Sequence, residues 1–77
     1  VVTLTFDPAI TASSSVSFRG GVTSSGAGTI AINGGTATSL VTTGTNPAAT
    51  DITTVSFSGS ITTITISKTS TGAQIMA

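Results

Sequence analysis

Alternating apolar and hydroxyl residues, glycine-rich breaks about every ten residues and a near absence of strong helix formers predict an all-β fold. The expected form is a small antiparallel β-sandwich or jelly-roll of about seven short strands. Thr (18), Ile (8) and Val (6) dominate the strand-like runs. All three are β-branched, stiff at χ1 and suited to a pleated surface. Glu is absent, Leu occurs twice, and Gln, Lys and Arg occur once each. No stretch keeps the i, i+3, i+4 spacing of an amphipathic helix over three turns.

The elements follow in order. Val2, Leu4 and Phe6 alternate with Val1, Thr3 and Thr5, and Asp7-Pro8-Ala9 is expected to end that strand because proline removes a ladder donor. The segment Ser13 to Arg19 places Val16 and Phe18 on one face, and Gly20-Gly21 closes it. After a loop at Gly26-Ala27-Gly28, Ile30 and Ile32 share one face of a strand at 29–32. Asn33-Gly34-Gly35 then reads as a hairpin turn, since a type I′ turn needs positive φ at both central residues. The return strand is placed at 36–42, with Thr38 and Leu40 on one face and Ala37, Ser39 and Val41 on the other.

A loop at 44–50 follows, then a strand at 51–58 carrying Val55 and Phe57. Gly59-Ser60 is read as a short connection into a strand at 60–67 with Ile61, Ile64 and Ile66. The three-residue step from Ile61 to Ile64 breaks the alternation and predicts a bulge or a late strand start. A turn at 68–72 and the opening of a further strand at 73–77 complete the chain. A repetitive β-solenoid is the alternative architecture. The local match of Ser-Val-Ser-Phe-Arg (15–19) to Thr-Val-Ser-Phe-Ser (54–58) does not make a fixed repeat.

Seventy-seven residues amount to a single β domain or a fragment of a larger β-sandwich. Twenty large apolar side chains make a small core, and domains of this size usually need disulfides, metal or a partner. There is no Cys and no His. Completion by other chain segments or subunits is therefore expected. The chain opens on Val1 and stops within the apolar run Gln74-Ile75-Met76-Ala77. These ends favour a fragment over a processed mature protein and predict that the last strand lacks its neighbour.

The only charged side chains are Asp7, Arg19, Asp51 and Lys68, for a net charge of zero. Without a basic patch, nucleic-acid binding is not expected. No apolar run approaches the ~18 residues of a membrane-spanning helix, and no signal peptide is visible.

No catalytic, cofactor-binding or metal-ligating residue is assigned, no cofactor is expected, and the chain is read as a non-enzyme. A Ser nucleophile would need Lys68 as its base, but the adjacent Ser67 points to the opposite face of a strand. Glycoside hydrolysis needs two carboxylates flanking one bond. Asp7 and Asp51 are the only side-chain carboxylates, and each falls at a turn–strand junction where Asp is commonly a turn former. Calcium needs six to eight oxygen ligands, and no Asp-rich loop supplies them. Phe6, Phe18 and Phe57 all fall on apolar strand faces and read as core. Gly20-Gly21 and Gly34-Gly35 are turn glycines, with no following helix to form a phosphate loop.

Several motifs occur in a recognisable order: Val-Thr-Leu-Thr-Phe-Asp-Pro-Ala-Ile (2–10), Ser-Val-Ser-Phe-Arg-Gly-Gly (15–21), Ile-Asn-Gly-Gly (32–35) and Val-Ser-Phe-Ser-Gly-Ser-Ile-Thr-Thr-Ile-Thr-Ile-Ser (55–67). In this order the chain resembles β-sandwich domains of virion structural and tail-fibre proteins of marine tailed phages, particularly cyanophages. Phe57, Ser58, Gly59, Ile61, Thr62 and Ile64 fit the segment that in those proteins leads through a strand to a Val-Asp-Gly turn, which is absent here. The resemblance implies a concanavalin-like or jelly-roll fold and a role in a virion appendage or capsid surface. It carries over no catalytic residue.

The leading expectation is a structural protein of a tail fibre, appendage or capsid decoration, on the virion surface or extracellular. It would assemble with copies of itself and with neighbouring proteins, a trimer being the first oligomer expected. A cellular surface filament or adhesin completed by strand donation is the second. A receptor- or glycan-binding module using the loops at 22–28 and 42–50 is the third.

Overall fold

The computed structural model describes all 77 residues, and the fold is all-β with eight strands and no helix. Strands β1 (Val2–Ala12), β7 (Gly59–Lys68), β4 (Gly28–Ile32) and β5 (Thr38–Ser39) form one antiparallel sheet in the order β1-β7-β4-β5. Strands β2 (Ser15–Arg19) and β6 (Ile52–Ser56) form a two-stranded ribbon, and β3 (Gly21–Val22) pairs with β8 (Ile75–Met76).

The apolar rows of the large sheet follow directly from its register. Val2 faces Ile66, which faces Ile30; Leu4 faces Ile64, which faces Ile32. Residues opposite one another across a ladder project to the same face, so these rows line one side. Ile30, Ile32, Ile61, Ile64 and Ile66 are buried there with Val22, Ala27, Leu40 and Ala73. Val16, Phe18, Val55 and Phe57 of the β2–β6 region pack against this core from the second layer, and Phe6 packs at its margin. This is the sandwich-like arrangement that the alternation predicts. The opposite side of the sheet carries Thr3, Thr65 and Ala31 in one row and Thr29 beside Ser67 and Ser39 in another.

The Asn33-Gly34 turn has the expected form. Both residues have positive φ, 54° and 71°, and the Gly35 N–H donates to the Ile32 carbonyl at 2.9 Å. Asn33 also does something that the turn pattern does not predict. Its Oδ1 accepts from the Thr62 and Thr63 N–H groups at 2.8 and 3.2 Å and from Thr62 Oγ1 at 3.1 Å. Its Nδ2 donates to the Ser60 carbonyl at 2.9 Å, and its own N–H donates to the Thr63 carbonyl at 2.8 Å. Successive N–H groups of a regular strand point to opposite edges; here two point to one oxygen, as at a bulge. The extra residue brings Ile61 and Ile64, three positions apart, onto the same buried face.

Five expected boundaries move. Asp7-Pro8-Ala9 does not end the first strand: β1 continues to Ala12, and its register shifts between Thr5 and Ile10, where β7 advances only from Thr63 to Ile61. The excursion is possible because β1 is an edge strand, where a missing proline donor breaks no second ladder. Gly59-Ser60 is not a connection but the start of β7. The return strand of the hairpin, placed at 36–42, shrinks to Thr38–Ser39: Thr36 lines a pocket, and residues 41–43 leave β4 to run parallel beside Val22, whose N–H donates to the Val41 carbonyl at 3.0 Å and whose carbonyl accepts from the Thr43 N–H at 2.9 Å. Gly21 belongs to a strand of its own, pairing with Met76. The last strand, expected to lack a neighbour, pairs with β3, and Thr23 strengthens the contact through N–H to Gln74 carbonyl (3.0 Å) and Gln74 N–H to Thr23 Oγ1 (2.9 Å) bonds. Gly20 makes this approach possible: with φ at 129°, it sits where any Cβ would collide with the Met76 carbonyl.

Replacing Asn33 tests the clamp on β7. The Asn33→Ala variant loses the side-chain bonds and places alanine at positive φ, so it should lose about 2 kcal/mol or more in urea unfolding. Asn33→Asp keeps the acceptor but turns a carboxylate toward the Ser60 carbonyl, and should fall between Ala and wild type. Equal stability of all three would show that the clamp contributes nothing.

Candidate functional site

The residues with chemical potential are scattered. Asp7 lies exposed in the irregular part of β1. Asp51 lies at the entrance to β6, where it organises the loop at 43–51: its Oδ2 accepts from Thr43 Oγ1 at 2.7 Å and from the Ala48 N–H at 2.8 Å. The Thr43 hydroxyl, then the Ala48 amide, hold the Asp51 carboxyl below its ordinary value of 3.8, against a smaller opposing effect of burial. Lys68 ends β7 and donates from Nζ to the Ala73 carbonyl at 3.1 Å, bracing the turn before β8. Arg19 ends β2, opposite Ile52. The structure brings none of these four charged groups into a salt bridge or a shared site, and the turn-forming reading of Asp51 describes its contacts.

The three phenylalanines are half-buried against the core, as expected of strand-face residues. The loop at 22–28 is tied down by Val22 and Ala27, both buried, and by the Thr69 N–H donating to the Ala27 carbonyl at 2.6 Å. The loop at 42–50 is more open and is held chiefly through Thr43 and Asp51. One pocket of about 290 Å³ lies between the hairpin turn and β6, lined by Ile32, Thr36, Thr38, Val55, Ser56 and Phe57 among others. It holds hydroxyls and apolar carbons but no titratable group.

The most distinctive surface is the free edge of β1. Val2, Leu4 and Ile10 lie opposite the buried Ile66, Ile64 and Ile61, yet each remains close to half exposed, at 48, 46 and 46%. The apolar rows thus continue from the covered core onto a strand that the second layer does not cover. The sheet's other edge is β5, only two residues long. Periodicity announces Val2 and Leu4 as apolar-face residues. It does not announce that they sit at an uncovered edge, which depends on the non-local pairing of β1 with β7.

No protein-family model matches the chain, and no curated protein or solved structure matches it.

The Asp51 contacts carry a pH consequence. A carboxyl whose folded pKa is depressed stabilises the fold above its unfolded pKa, and that contribution is lost as pH falls through the folded value. Wild type should therefore lose stability relative to Asp51→Asn as pH is lowered from about 5 to below the 3.8 of an unperturbed carboxyl. Thermal unfolding of both proteins across that range reads the difference. Parallel profiles would mean that the Thr43 and Ala48 contacts do not favour the ionised form.

Proposed function

We propose that this chain is a non-catalytic structural domain of a virion surface assembly, a tail-fibre, appendage or capsid-decoration unit. It works through contacts with copies of itself and with neighbouring subunits, a trimer being the first arrangement to test. The observation that carries this reading is the half-open apolar edge at β1. A finished, freely soluble domain blunts such an edge with charge, proline or a covering element; here Asp7 and Pro8 interrupt the edge only beyond Phe6, and Val2 and Leu4 before them extend the core outward with no such guard.

Two further features support it. The chain makes 34 backbone–backbone hydrogen bonds, where a closed domain of this length makes roughly 50–55. Many peptide groups therefore face solvent or a neighbour. The surface is also supplied by Thr and Ser hydroxyls with only four charged side chains, so close apposition of copies costs little in desolvated charge. The resemblance of the motif order to tailed-phage structural proteins directs the reading to a virion.

The same edge favours one second reading, a cellular surface filament whose sheet is completed by a donated strand.

An antiserum raised against the 77-residue chain separates the two. Immunogold microscopy should label intact virions at a defined place on tail, appendage or capsid. Label on cell-surface filaments alone would replace the first reading by the second. Label on neither overturns both.

A further inference from the structure

We infer that β1 pairs with β1 of a second copy, antiparallel and about a two-fold axis through Leu4, joining two four-stranded sheets into one of eight strands. The inference rests on the assembly reading above, names the partner and its register, and puts a two-fold pair in place of the trimer at this edge. The segment fit for pairing is Val2-Thr3-Leu4-Thr5-Phe6. The register of β1 on β7 is regular from Val2 to Thr5 and shifts before Ile10; past Phe6, Asp7 adds a charge and Pro8 offers no N–H, so an added strand could not continue. Within it the pattern reads alike in both directions. With Leu4 opposite Leu4 of the partner copy, Val2 meets Phe6, Thr3 meets Thr5, and the reverse pairs follow by symmetry.

This register keeps faces matched, which a shift of one residue would not. The apolar row Ile30–Ile66–Val2 and the row Ile32–Ile64–Leu4 then run on into the partner's rows. On the other side, Thr3 and Thr5, both exposed, pair hydroxyl with hydroxyl. An isologous contact of this kind requires self-complementarity and tolerates no net charge on the patch. Residues 1–6 carry no charged side chain, and the whole chain has net charge zero, so nothing on the patch opposes the approach.

The size of the contact argues for a second copy over a captured foreign partner. Five residues of ladder run about 17 Å along a sheet edge about 10 Å deep. The contact is far smaller than the ~800 Å² per partner of a stable complex. Such an edge holds a neighbour that an assembly already keeps close; it does not extract a dilute protein from solution. On its own it gives a weak dimer, with a dissociation constant of roughly 100 μM to 1 mM.

The test is sedimentation velocity together with amide NMR from about 20 μM to about 1 mM, a range that brackets such a constant. Wild type should shift from monomer toward dimer, with concentration-dependent changes centred on Val2 to Phe6. Leu4→Lys and Leu4→Glu each place like charges face to face and should stay monomeric. A one-to-one mixture of the two should recover association at least to the wild-type level. Leu4 is 46% exposed, so either side chain can reach water. Should a Leu4 variant fail to fold by circular dichroism, the exposed pair T3K/T5K against T3E/T5E repeats the experiment.

A wild-type chain that stays monomeric and unshifted at the top concentration overturns the inference. So does a lysine variant that associates as well as wild type, or a mixture that stays apart. Virions that bind the antiserum while the chain fails these tests would retain the assembly reading and remove the pairing. Pairing without labelled particles would do the reverse.

Discussion

The fold depends on the way β7 is held. It is the one long strand bonded on both sides, to β1 and to β4, and its Ile64 and Ile66 form the middle of the two apolar rows that cross the large sheet. Strict alternation would send Ile61 and Ile64 to opposite faces. The Asn33 side chain prevents that by binding both amides of the bulge and the Ser60 carbonyl. One residue thereby serves two structures. Its backbone, at positive φ, makes the hairpin turn, and its amide group sets the face that β7 presents to the core. Asparagine suits both demands, because it tolerates the left-handed region and carries donor and acceptor on one short arm.

Local chemistry was legible in the residues because its causes are local. The paired positive φ angles at Asn33 and Gly34, the inward Ile30 and Ile32, and the irregularity between Ile61 and Ile64 all follow from short-range pattern. Strand ends were less legible where pairing is remote. Pro8 looks like a terminator until the strand proves to be an edge, where its missing donor costs nothing. Gly59 looks like a connection until β1 is seen to bond as far as that residue. Gln74 to Ala77 looks unfinished until Gly20 and Gly21, read as a turn, prove to leave room for it. Each difference comes from a partner between 40 and 60 positions away, which no window of ten residues contains.

The functional reading has the same character. The four charged side chains lie apart: Asp51 and Lys68 each brace a loop or turn, Arg19 ends β2, and Asp7 lies exposed within β1. The positive signal, an apolar row reaching an uncovered edge, is visible only once the order β1-β7-β4-β5 is known. Val2 and Leu4 have the pattern of core residues and the exposure of surface ones. That mismatch between pattern and environment is what makes the edge informative.

The pairing of Val2 with Ile66 also shapes how the chain reaches its structure. The first strand must wait for a partner more than sixty residues downstream, while the β4–β5 hairpin can close as soon as its turn is made. Long-range pairing of this kind slows folding, because the loss of chain entropy precedes the contacts that offset it. During synthesis the N-terminal strand would therefore leave the ribosome with both of its edges bare. Neighbouring nascent chains on one messenger would present the same segment to each other before either had a sheet to join.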